Sequence, residues 1–212
     1  MANSEGKIIT VGVTGASGAI LAQKALRLLD ADRRVARVHL VVTETGLRLF
    51  GTELGITAKA LSRLPALLTG MRAAKIEVLP NSDVGASIAS GSYPVDAMVV
   101  IPCSMGTLAA IASGHSDDLV SRAADVCLKE GRRLVLAIRD TPFSRVHLEN
   151  MLRAQQAGAV IMPAIPSYYH GPKTIDDLVT QYTCLVLAQL GLPQQKQFQW
   201  KGRPQRGASG AR

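Results

Sequence analysis

The sequence predicts an α/β protein, a parallel sheet covered by helices. Strand-length runs rich in Val and Ile alternate along the chain with stretches of helical periodicity. The strand candidates are almost continuously apolar, the pattern of strands buried on both faces. Hydrophobic residues make up 47% of the 212 and aromatics only 4%, so the core must be aliphatic, as it is between a parallel sheet and its covering helices.

The first strand, Ile8 to Val13, runs into Gly12, Gly15 and Gly18 with Thr14 and Ser17 between them. Apolar residues then recur at helical spacing at Ile20, Leu21, Ala25, Leu28 and Leu29. A strand, a glycine turn and a helix in this order aim backbone N–H groups and a helix N-terminus at one point, which suits a phosphate. The glycine spacing departs from G-x-G-x-x-G, so the ligand need not be a dinucleotide. Arg37 to Thr43 reads as the second strand, Glu44 to Phe50 as helix with Glu53 after it, and Ile56 to Leu68 as a loose amphipathic helix. A short strand at Lys75 to Leu79 precedes a loop, Asn81 to Ser92, whose Ala89-Ser90-Gly91-Ser92 could bring backbone close to a ligand.

Ala97 to Pro102 is the clearest central strand. It ends in Cys103-Ser104-Met105-Gly106-Thr107, a second turn of small and hydroxyl residues, with a helix expected from Leu108. Turns after parallel strands face one edge of the sheet, where α/β proteins bind ligands. Asp117 to Lys129 reads as a helix capped by Ser116 or Asp117, and Arg132 to Ile138 as a strand ending in Arg139-Asp140-Thr141-Pro142. His147 to Ala157 is helical, Gly158 stops it, and Ala159 to Met162 is the last strand. Prolines and Gly171 keep Pro163 to Lys173 irregular. Thr174 to Leu190 is the closing helix, and the tail beyond it carries Trp200.

One domain over 1–192 and a partly disordered tail over 193–212 follow from length and composition. No apolar run reaches membrane-spanning length and the N-terminus has no signal-peptide core, which predicts a cytoplasmic protein with no membrane partner. The formal charge of +8 is no nucleic-acid signature, because much of it lies in the tail and no aromatic-studded basic face accompanies it. Cys103, Cys127 and Cys184 have neither metal nor disulfide spacing; Cys103 is expected to be the most open of the three.

Tyr169 and Lys173 have dehydrogenase-like Y-x-x-x-K spacing, but Gly171 and Pro172 forbid the helix that motif needs. His147 and Glu149 splay apart on a helix and read as solvated. His170 could border a site, and His39 and His115 carry no signal. Arg122 and Lys129, seven apart, share a helix face; with Arg139 and Tyr169 they are candidates for phosphate binding, the alternative being an exposed amphipathic face.

The motifs VTGASGA, ASGS, VVIPCS-x-x-TL, SRAADV-x-LKE, RDTPF with HLENML, GAVIMPA and YYH-x-P follow one another in this order. On them the chain resembles the UbiX-type flavin prenyltransferases over roughly residues 7 to 200, and more distantly the flavin-containing cysteine decarboxylases. The resemblance implies a doubly wound parallel sheet, a flavodoxin-like or Rossmann-like three-layer sandwich, with FMN as cofactor and no metal. It implies transfer of a dimethylallyl group from dimethylallyl monophosphate or diphosphate to N5 of reduced FMN, with closure onto C6. It further implies a homododecamer with sites at subunit contacts and delivery of the product to a UbiD-type decarboxylase.

By position, the resemblance assigns FMN to Gly15, Ala16, Ser17, Thr43, Ser104, Met105, Gly106, Thr107 and Arg139. Ser17 is also placed to relay a proton, and Glu53 and Asp140 to assist the chemistry. Ala89 and Ser90 would border the prenyl tail, while Arg122, Lys129, Arg139 and Tyr169 surround its phosphate and Trp200 lies near the site. Two positions depart from the family pattern: Asp140 stands where Glu is usual, and Leu185 where the family has a cation. They define a second reading, an FMN-binding paralogue that carries flavin without prenylating it. A third is a flavin-dependent decarboxylase of a cysteine-like thiol.

Overall fold

The computed structural model describes residues 6–70 and 73–199. Six strands form one sheet: β1 (Lys7–Val13), β2 (Val35–Val42), β3 (Ile76–Pro80), β4 (Ala97–Cys103), β5 (Arg133–Ile138) and β6 (Val160–Ile161). Every pairing is parallel, in the order 3-2-1-4-5-6. The expected doubly wound sheet is therefore present, with the strand order of the Rossmann arrangement and its switch point between β1 and β4.

The helices are α1 (Ala19–Ala31), α2 (Glu44–Leu54), α3 (Leu64–Thr69), α4 (Met105–Ser113), α5 (Leu119–Lys129), α6 (Arg145–Gln156) and α7 (Ile175–Gln189). Alternate residues of the central strands feed two cores, because successive strand side chains point to opposite faces. Ala97, Val99 and Ile101 of β4 join the layer with Leu26 of α1 and Leu187 of α7. Met98 and Val100 join the layer with Leu108 of α4 and Val120 of α5. The sheet is thus buried on both sides, which is why its strands lack polar alternation.

Several boundaries differ from the sequence reading. α4 begins at Met105 instead of Leu108, because Ser104 caps it and accepts from the Thr107 N–H at 3.4 Å. The cap of α5 is Asp118, one residue beyond the expected candidates. Its carboxylate accepts from Ser121 N at 2.8 Å and from the Ser121 hydroxyl, in a capping box. α2 extends through Leu54, so Glu53 lies within it. Within Ile56 to Leu68 the helical residues are a single 3-10 turn (Leu61–Arg63) and all of α3 but its last residue, so the helix starts later than expected. β6 is two residues long.

The chain after α7 folds back as far as it is described: Gln194 Nε2 donates to Asp32 Oδ2 at 3.0 Å and Phe198 N donates to Gln181 Oε1 at 2.9 Å. Trp200 and the rest of the expected tail lie outside the described residues. Among the described residues no helix is long and apolar enough to cross a membrane.

Candidate functional site

A cavity of about 530 Å³ opens at the C-terminal edge of the sheet. Four connections wall it: Gly15 and Ala16 after β1, Thr43 and Thr45 after β2, Ser104 to Thr107 after β4, and Arg139 with Asp140 after β5. The sequence placed all of these at strand ends except Thr45, which it missed. Thr45 is the nearest neighbour of Gly15; a Cβ on Gly15 would stand 2.6 Å from Thr45 Cγ2.

The turns after β1 and β4 are fastened together by one buried hydroxyl. Thr14 Oγ1 donates to the Pro102 carbonyl at 2.9 Å and accepts from Ser104 N at 2.8 Å. Thr14→Val keeps the shape and leaves the Ser104 N–H without its acceptor, a cost of about 1–3 kcal/mol, while the Pro102 carbonyl keeps the backbone N–H of residue 14 at 3.2 Å. We expect a lower Tm and weaker ligand retention together, read by thermal unfolding with and without the ligand; an unchanged Tm would deny Thr14 this fastening role.

Two helix N-termini point into the cavity. Thr43 caps α2 by accepting from Gly46 N at 3.1 Å, and Ser104 caps α4. Helix geometry leaves the N–H groups of the first two residues of each helix without an intrahelical partner. Arg139 adds a cation whose Nε is buried without a hydrogen-bond partner. Anions are stabilised at such a meeting of N–H groups and positive charge.

The N-terminus of α1, where the sequence put the phosphate-binding N–H groups, is differently used. The Glu53 carboxylate reaches across from α2 and accepts from Gly18 N at 3.0 Å and Ala19 N at 2.8 Å. Gly18 has no side chain with which to cap the helix and sits at φ 118, so a carboxylate from another helix fills the role. Ser17 is exposed next to this pair and is not on the wall of the cavity.

Ala89, Ser90, Arg122 and Lys129 form a second group. Arg122 Nε donates to the Ala89 carbonyl at 3.2 Å, and Lys129 pairs with Glu130 beside Gly91. Arg122 and Lys129 thus share a face, as their spacing predicted. Tyr169 lies elsewhere, exposed, its ring 5.5 Å from that of Phe198. Phe198 and His170 line a separate cavity at the start of α7. Neither group lines the first cavity within this chain.

Cys103 corrects an expectation: it is the last residue of β4, fully buried, and burial pushes its thiol up to about 12. Position puts it near the site while its side chain joins the core. His39, which carried no sequence signal, is buried with Nε2 2.9 Å from the Tyr93 hydroxyl. His147 is a capping residue of α6, and Glu149 pairs with Arg145.

The Flavoprotein family model matches residues 1–184. The flavin prenyltransferase UbiX of Halalkalibacterium halodurans is 43% identical over 194 residues, covering 91% of this chain and 93% of that protein. A crystal structure of AnUbiX in complex with FMN and dimethylallyl pyrophosphate superposes with a TM-score of 0.82 at 40% identity, covering 94% of this chain and all of that one. A dodecameric FMN-dependent UbiX-like decarboxylase from Escherichia coli does so with the same score and identity, covering 92% of this chain and 100% of its own.

Proposed function

Since the chain belongs to the Flavoprotein family, and within it to the UbiX-type flavin prenyltransferases, we propose that it binds FMN in the sheet-edge cavity and attaches to it a dimethylallyl group taken from dimethylallyl monophosphate or diphosphate. The observation that carries this reading is the convergence of two open helix N-termini with the unpartnered Nε of Arg139. That donor set fits the phosphate of FMN, and the small residues Gly15 and Ala16 leave room for the cofactor beside it. Thr43, Ser104 to Thr107 and Arg139 would hold the cofactor, with Gly15, Ala16 and Ser17 along its edge. Reduced FMN, when bound, supplies the nucleophile that accepts the prenyl carbon.

The chain's own residues supply the rest. As the allylic C–O bond breaks, its electron pair goes to the departing phosphate, and cations stabilise the growing charge. Arg122, Lys129, Arg139 and Tyr169 take this role, with Ala89 and Ser90 against the prenyl tail. Arg122, Lys129 and Tyr169 stand apart from the cavity in one chain, so a neighbouring subunit completes each site. The dodecamer formed by the Escherichia coli relative supports such an arrangement. Ser17, Glu53 and Asp140 hold or move protons, and Leu185, half-buried on α7, contributes no charge. A UbiD-type decarboxylase is the recipient of the product. Three buried free thiols suit a reducing cytoplasm.

The test is an anaerobic incubation with reduced FMN and each donor in turn, read by the mass of the flavin. The expected result is a flavin heavier by one dimethylallyl unit. Normal FMN binding with no product from either donor would leave a flavin carrier and remove the enzyme.

A further inference from the structure

Residues 89–93 are held in place from outside. The backbone hydrogen bonds of this stretch are local: Ala89 N donates to Ala86 O, Ser90 N to Ser87 O, and Tyr93 N to Ser90 O. No strand pairing ties it to the sheet. Its carbonyls are gripped by guanidinium groups instead. Arg132 Nη1 donates to the Tyr93 carbonyl at 2.9 Å and Nη2 to the Gly91 carbonyl at 2.6 Å. Arg122 Nε takes the Ala89 carbonyl at 3.2 Å.

Arg132 is half-buried and makes none of the ion pairs found among the described residues. Its guanidinium donates to two backbone oxygens of one loop. A guanidinium forked in this way is rigid, and lysine cannot reproduce the fork. Gly91 sits so close to α5 that a Cβ there would stand 2.7 Å from Lys129 Nζ and 2.7 Å from Glu130 Cδ. The positive charge of Arg132 also helps hold the Glu130 carboxyl below its usual range, behind the larger effect of its hydrogen bond to Lys129. Loop, ion pair and guanidinium thus form one unit at the end of α5.

We propose that Arg132 is a positioning residue for the prenyl donor: closed on the carbonyls of Gly91 and Tyr93, it sets the 89–93 loop against α5 so that Ser90, Arg122 and Lys129 meet one phosphate-bearing donor at a fixed spacing. This rests on the donor role given above to Arg122 and Lys129. Arg132 touches neither donor nor cofactor in this scheme. It acts through the loop and through the place that Glu130 and Lys129 take beside Gly91.

Two variants test it, Arg132→Lys and Gly91→Ala, with dimethylallyl monophosphate titrated calorimetrically into the FMN-loaded protein and FMN affinity measured separately. Arg132→Lys keeps the charge and loses the fork; donor affinity is expected to fall about tenfold, the scale of a lost charge-assisted hydrogen bond, with FMN affinity unchanged. Gly91→Ala displaces the flexible ends of Lys129 and Glu130 while leaving Arg132 intact, and is expected to shift donor affinity in the same direction. If Arg132→Lys does not fold, Arg132→Gln, which keeps an N–H donor for one carbonyl and loses the fork, decides in its place. Wild-type donor affinity in the Arg132 variant, or an equal loss of donor and FMN affinity, overturns the positioning role. A wild-type protein that holds FMN and binds no donor overturns the donor assignment itself, and the positioning role with it.

Discussion

Gly15→Ala is expected to lower FMN affinity by at least about tenfold, although it adds a single methyl group. The backbone of Gly15 is not in the left-handed region, so conformation alone does not demand glycine. The demand comes from Thr45. The new Cβ would lie 2.6 Å from Thr45 Cγ2 and 2.8 Å from Thr45 Cβ. The methyl can rotate away, but the Cβ of a residue in the first turn of α2 cannot, since Thr43 and the Gly46 N–H hold that turn. The strand-to-helix turn after β1 must therefore back into the cavity that both residues line. Overpacking of this kind costs about 1–3 kcal/mol. Here the cost falls on the bound state, because the room removed is the cofactor's. Thr45→Ala in the same chain should return part of the loss, with a coupling of about 0.5–3 kcal/mol between neighbouring sites. Flavin titration of the two single variants and the double variant checks this; wild-type affinity in Gly15→Ala, or strict additivity, would place the turn and Thr45 outside the cofactor site.

Much of this architecture could be read from the chain because burial imposes itself on sequence. β4 is covered on both faces, so its residues are apolar without a break and no alternative element fits them. The small-residue turns after β1 and β4 stood out for the same reason: only such residues let backbone approach a ligand. What escaped notice depends on partners distant in sequence. Nothing local marks Thr14 as the link to Pro102 and Ser104, 88 and 90 residues away. Nothing local says that Glu53 takes the N–H groups of Gly18 and Ala19, which a reading of the turn alone assigns to a phosphate. The helix N-termini that open on the cavity belong to α2 and α4, and the second lies three residues earlier than its apolar periodicity places it. Cys103 misled in the opposite way: its place at a strand end suggests access, while the inward phase of the strand buries it.

Glu53→Gln should separate the two tasks that fall on this side chain. As a cap, the carboxylate places a negative charge at the positive end of α1 and accepts from two N–H groups. Glutamine keeps one accepting oxygen and turns an amide N–H₂ toward backbone donors, so a loss of about 1–2 kcal/mol in stability is expected. As a participant in prenyl transfer, the carboxylate would contribute a factor of about 10²–10⁴, the range of a positioned general acid or base. Neither task involves the wall of the cavity, which Glu53 does not line, so FMN affinity should change little. A large fall in kcat with a modest fall in Tm is the expected pattern. A lowered Tm with kcat within about twofold of wild type would reduce Glu53 to a cap and move the proton chemistry to Ser17 and Asp140. The position of the carboxylate makes the first outcome the consistent one: bound at the two N–H groups that follow Ser17, it is fixed on the turn that carries the hydroxyl with which it would share a proton, and fixed placement is what such transfer requires.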